Sequence, residues 1–97
     1  MIVIKSFADK ETQKVYQQEF SKKIPIDIQR IALRKLMLIN NAKSLCDLKN
    51  PPANKLEKLK GDRAGQYSIR INDQWRICFS WHNQTISAQN VAIVDYH

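Results

Sequence analysis

The chain of 97 residues has little of what holds many small proteins together. It carries two cysteines, Cys46 and Cys78, with no CxxC spacing. That excludes a disulfide framework or a zinc scaffold, and both are expected as small buried hydrophobes. Two glycines and three prolines are too few for a disordered or fibrous chain. The two histidines, His82 and His97, stand at no metal-ligand spacing with each other or with Asp95. No metal and no cofactor are therefore expected. No apolar run approaches membrane-spanning length, and Met1-Ile2-Val3-Ile4-Lys5 lacks the basic start and long apolar core of a signal peptide. The expected setting is the cytoplasm, with no membrane partner. Acidic residues are scarce as well: 9 Asp+Glu stand against 16 Lys+Arg, giving a formal charge of +7. Such an excess favours a polyanionic partner.

What is present is an apolar share of 43% in a length that suits one domain over residues 1–97. Ile2-Val3-Ile4 predicts a strand over 1–6. Asp9 is a good N-cap for a helix over 9–20, with Ala8, Thr12, Val15, Tyr16 and Phe20 on one side. Pro25 suits the first turn of a second helix over 25–41. Ile28, Ala32, Leu36 and Ile39 form its main stripe. Ile31 and Leu38 lie off that stripe and are expected to pack under the first helix. A helical turn over 44–50 ends at Pro51-Pro52, because the residue before a proline is pushed away from helix. From Leu56 the apolar period becomes two. Tyr67, Ile69 and Ile71 alternate with Ser68 and Arg70. After an Asn72-Asp73 turn, Trp75, Ile77, Phe79 and Trp81 alternate with Arg76, Cys78, Ser80 and His82. A last strand over 85–94 changes phase at Gln89-Asn90, which predicts a β-bulge. The expected fold is α+β in the order β-α-α-β-β-β. Two N-terminal helices should cover one face of a small, twisted antiparallel sheet.

The other face should then be open, concave and basic, holding Ser68, Arg70, Arg76, Ser80 and His82. Residues 55–76 carry six Lys/Arg against three Asp/Glu. Arg70 and Arg76 flank the Asn72-Asp73 turn on paired strands, so their planar donor forks could converge on a phosphate. Lys58, Lys60 and Arg63 come from the neighbouring strand and its turn, where Gly61 and Gly65 allow backbone conformations that a Cβ forbids. Lys58, Arg63, Ser68 and Arg70 are the candidate phosphate-binding residues. Cleavage of RNA needs a base at the 2′-hydroxyl, charge stabilisation at phosphorus and an acid at the leaving 5′-oxygen. Arg76 and Lys60 could supply the charge, and Tyr96 or His97 could move protons. The sequence assigns neither of them as base or acid.

The run Leu56-Glu57-Lys58-Leu59-Lys60-Gly61-Asp62-Arg63-Ala64-Gly65-Gln66-Tyr67-Ser68-Ile69-Arg70 is followed by Asn72-Asp73-Gln74-Trp75-Arg76-Ile77 and then by Asp95-Tyr96-His97. This combination resembles the HigB branch of the RelE/ParE toxin superfamily. The resemblance implies a RelE-like fold and a type II toxin that cuts translated mRNA in the ribosomal A site. It implies active-site positions at Lys60, Arg76, Asp95, Tyr96 and His97. It also implies a helix-turn-helix antitoxin as partner, with operator DNA reached only through that antitoxin. Several relatives carry a histidine three residues before the lysine. Glu57 stands there in this chain, which shifts proton transfer toward Tyr96 and His97. Two other readings compete: a toxin of the ParE kind acting on DNA gyrase, and a non-catalytic RNA- or antitoxin-binding module.

Overall fold

The chain lays down a helical layer first and a sheet second. A computed structural model describes residues 3–96. Helix α1 spans Lys10–Tyr16, and its Asp9 cap accepts a 2.7 Å hydrogen bond from the Thr12 amide. The helix is shorter than its apolar spacing predicts. Gln18 turns left-handed at φ 63°, its amide donates to the Val15 carbonyl, and the Glu19 amide donates to Lys14. This pair of bonds is a Schellman ending, usually made by glycine. Beyond it Phe20 leaves the expected stripe and is 63% exposed, and Ala8 is exposed too.

Helix α2 spans Ile26–Asn41, with Pro25 as its N-cap instead of in its first turn. Ile28, Ala32, Leu36 and Ile39 are all buried, as their spacing predicts. Ile31, Leu33 and Leu38 are half-buried against the same core. Two short 3₁₀ turns follow, Leu45–Lys49 and Pro52–Asn54. Asn54 is fully buried and pins them. Its amide donates to the carbonyls of Leu48 (3.2 Å) and Asn50 (3.1 Å), and its oxygen accepts from Lys35 Nζ. All its polar atoms are thereby satisfied, which burial demands. Cys46, expected inside, is exposed on the first of these turns, whereas Cys78 is buried.

The sheet has four antiparallel strands in sequence order: β1 (Glu57–Lys58), β2 (Gln66–Arg70), β3 (Trp75–His82) and β4 (Ser87–Asp95). The alternation around Leu56–Lys60 yields only the two residues of β1. Residues 3–7 do not form a continuous strand. They make two isolated parallel bridges to β4, Ile4 to Ala88 and Phe7 to Val91. The remainder of the strand expected over 1–6, Met1 and Ile2, lies outside the described residues. The β4 bulge explains the interruption: Asn90 is left-handed at φ 54°, and the β3–β4 register slips between Cys78 and Ser80. The phase change at Gln89-Asn90 predicted this bulge.

Ile69, Ile77, Phe79 and Val91 are fully buried between sheet and helices. Trp75, Trp81 and Tyr67 form the half-buried rim of the same core. The opposite face differs from its expectation. Ser68 and Cys78 lie there, yet both are 0% exposed. The Arg76 side chain and the turn at Lys55 lie across Ser68, so the middle of that face is closed. Among the described residues, no helix is long and apolar enough to cross a membrane.

Candidate active site

Arg76 is the centre of the covered face. Its side chain is only 12% exposed, and three partners hold its guanidinium. Nε donates to Ser68 Oγ at 2.8 Å. Nη2 donates to the Lys55 carbonyl at 2.7 Å. Nη1 lies 3.2 Å from Glu57 Oε1. Lys55 aims its carbonyl from a left-handed backbone at φ 45°, a conformation that costs a non-glycine residue on the order of 1 kcal/mol. An arginine has five N–H donors, so two remain beyond these three contacts. The guanidinium carbon also lies 5.8 Å from the centre of the Tyr96 ring, close enough for a cation–π contact.

The C-terminal residues are held beside this group by Gln74. The Gln74 side-chain amide donates to Asp95 Oδ1 at 3.1 Å and to Oδ2 at 3.2 Å. The Gln74 carbonyl accepts from the Tyr96 amide at 2.6 Å. One turn residue thus clamps both Asp95 and Tyr96, and β3–β4 pairing of Trp75 with Asp95 completes the placement. Tyr96 is 41% exposed, and its ring lies beside the Arg76 guanidinium. His97 lies outside the described residues.

The other expected site residues divide. Ser68 serves Arg76 from a buried position instead of lining an open surface. Arg70 pairs directly opposite Arg76 in register, but its guanidinium turns to the carboxylate of Asp73. The two forks therefore do not converge. Arg63 donates to Gln66 Oε1 at 3.2 Å. Burial raises the Cys78 thiol pKa, and the Arg63 and Arg76 cations oppose that rise. Lys58 and Lys60 are exposed, and their side chains make no hydrogen bond or ion pair among the described residues. Between Lys60 and β2, Gly61 (φ 67°) and Gly65 (φ 91°) bracket the short turn. Open space surrounds both, so φ and not crowding calls for glycine there. Sequence reasoning missed the Lys55 carbonyl and the Gln74 clamp, which carry no pattern. Glu57 was visible only as a departure from relatives; its pairing with Arg76 needed the β1–β2 register, Glu57 opposite Ser68. Among the described residues, no group of three or more His, Cys, Asp or Glu side chains is placed to hold a metal ion.

Two helices over an antiparallel sheet, with an arginine and a tyrosine meeting on the far face, define a class. The same fold occurs in the YoeB–YefM complex from Staphylococcus aureus, with a TM-score of 0.60, 22% identity, and coverage of 100% of this chain and 98% of that one. Residues 5–97 match the model of a narrower family, the RelE-like toxin of type II toxin-antitoxin system HigB, and the chain belongs to that family. Toxin HigB-1 of Vibrio cholerae is 37% identical over 76 residues, covering 77% of this chain and 80% of its own. A Proteus vulgaris relative, Endoribonuclease HigB, is 35% identical over 96 residues, covering 98% of this chain and all of its own.

Proposed function

We propose that this toxin is an endoribonuclease that cuts translated mRNA in the ribosomal A site and so stops protein synthesis. The observation that carries the reading is the Arg76–Tyr96 pair: a three-point-fixed cation beside an exposed tyrosine. The name of the Proteus vulgaris relative supports RNA as substrate. In the reaction, a base takes the proton of a 2′-hydroxyl, whose oxygen attacks the adjacent phosphorus. A P–O2′ bond forms, the P–O5′ bond breaks, and an acid protonates the departing 5′-oxygen. Arg76 stabilises the charge that builds on the phosphoryl oxygens, in a geometry set in advance by Ser68 and Lys55. An incoming phosphate competes with the exposed Glu57 carboxylate for Nη1. Lys60 adds a second cation from its exposed turn. Tyr96 and His97 move the protons, and Asp95 is held by Gln74 to fix that end of the chain. Arg63 and Lys58 contact flanking phosphates. The partner that silences the toxin is an antitoxin with a helix-turn-helix domain, through which the pair reaches operator DNA.

Primer extension on mRNA from cells expressing the chain tests the reading. Cuts within translated messages, absent from cells expressing Arg76→Ala, are expected. Growth arrest with intact messages and altered plasmid supercoiling would instead place the chain among gyrase inhibitors.

A further inference from the structure

The Asn72-Asp73-Gln74 turn between β2 and β3 lies outside the reacting groups, yet it is bonded to them in series. Asn72 Oδ1 accepts from the amides of Gln74 and Trp75, each at 2.8 Å. The Trp75 carbonyl accepts from the amides of Ile71 (2.9 Å) and Asn72 (3.2 Å). The turn is thereby closed on itself before it meets β4. Gln74, set in that frame, holds β4 by two groups: its carbonyl takes the Tyr96 amide, and its side-chain amide takes both oxygens of Asp95. Register gives this its consequence. Arg76 pairs with Val94 and Trp75 with Asp95, the outermost pair of the ladder. The bond from the Tyr96 amide to Gln74 carries the pairing one step further. Alternate residues share a face, so Tyr96, two after Val94, returns to the face of Arg76, where its ring meets the guanidinium. A slip of one residue, or a frayed end, would turn the ring off that face. Gln74 and Asp95 are both exposed, so water serves either side chain nearly as well and their bonds add little to folding. What the bonds supply is the place of Tyr96 against an arginine two residues along the strand from Gln74.

We propose that Gln74, braced by Asn72, is a positioning residue for the cleavage step: it acts through Asp95 and Tyr96 to set proton transfer against the phosphate held by Arg76, and takes no part in binding RNA. The proposal rests on the endoribonuclease reading, in which Tyr96 moves a proton. It adds that the rate of the chemical step, and not the affinity for message, depends on this turn.

Cleavage of ribosome-bound message tests it, with kcat and KM measured separately. Gln74→Ala should lower kcat by about 10–100-fold, the scale on which small misplacements act, and leave KM unchanged. Binding to ribosomes carrying a 2′-O-methyl message, which lacks the nucleophilic hydroxyl, should be unchanged too. Gln74→Glu keeps the shape of the side chain but sets an acceptor against the Asp95 carboxylate, so its kcat should fall further than that of Gln74→Ala. The urea midpoints of both variants should match that of wild type. A double-variant cycle tests the route: with Asp95→Ala already made, Gln74→Ala should remove little more. A wild-type kcat in Gln74→Glu, a loss confined to KM, or single losses that multiply in full in the double variant would overturn the positioning role. A fall in kcat matched by a fall in the urea midpoint assigns the bonds to folding and overturns it as well. Wild type that leaves translated messages intact sinks the endoribonuclease reading itself. Wild type that cleaves normally beside unimpaired Gln74 variants sinks only the role of the turn.

Discussion

Arg76→Met separates two roles of one side chain. The substitution keeps the aliphatic stem over the sheet and deletes the fork. Ser68 Oγ is then left fully buried without its donor, a loss of about 1–3 kcal/mol. The Lys55 carbonyl lies at an exposed residue and turns to water at little cost. The Glu57 carboxylate is 56% exposed, so losing that ion pair adds about 0–1 kcal/mol. The sum is about 2 kcal/mol, which in a domain of this size lowers Tm by about 8–16 °C. Adding Ser68→Ala removes the orphaned hydroxyl along with its partner, which should restore about 1 kcal/mol or more. Activity should not follow. Both variants should lose roughly 10²–10³ in cleavage rate, because the charge at phosphorus is missing from each. Urea unfolding at 25 °C gives the stabilities, and cleavage of ribosome-bound message gives the rates. If the double variant were no more stable than Arg76→Met, Arg76 would not be what satisfies Ser68. If cleavage survived Arg76→Met, the proposed centre would be wrong.

Asn54→Ala should cost about 1–3 kcal/mol by urea unfolding, since the carbonyls of Leu48 and Asn50 lose their donor. A maleimide should label Cys46 in the folded protein and leave Cys78 untouched until denaturant is added, because burial both shields Cys78 and holds its thiol neutral. Ser21 Oγ donates to Glu11 Oε1 at 2.6 Å, and this bond is the main reason the Glu11 carboxyl sits below the usual glutamate pKa. Protons bind Glu11 more readily in the unfolded chain, so its contribution is present above the ordinary glutamate pKa and is lost as pH falls through the lowered value. Acid unfolding of Ser21→Ala should therefore begin at higher pH than that of wild type; identical acid transitions would refute the linkage.

Helix α2 was legible because four apolar residues repeat on one face and nothing local contradicts them. The bulge at Gln89-Asn90 was legible because a strand of period two can exchange its faces only where an extra residue enters. The end of α1 was not. Its stop depends on Gln18 adopting a conformation that glycine usually signals, so the sequence reads on into Phe20. The cover over Ser68 was hidden for another reason. Alternation says which face a residue takes, but not what crosses that face from the connector after Pro51-Pro52. Of the proposed site, Arg76 and Tyr96 were found from charge and family pattern. Their supports, the Lys55 carbonyl and Gln74, are backbone and turn groups whose role exists only after folding.

The parallel bridges between residues 3–7 and β4 also govern when the site can exist. Ser6 Oγ accepts from the Asn90 amide and Thr12 Oγ1 from the Ile93 amide, contacts that span 84 and 81 positions. Chains emerge from synthesis N-terminal end first, at about 5–20 residues per second. The opening segment must therefore wait, unpaired, until nearly all the rest has been made, because its hydrogen-bonding partner is the strand that also delivers Asp95 and Tyr96. A nascent fragment has neither the sheet closed nor the phenol beside Arg76. The pairing of Arg76 with Tyr96 is therefore a late product of synthesis, and an antitoxin already present has that interval in which to be waiting for it.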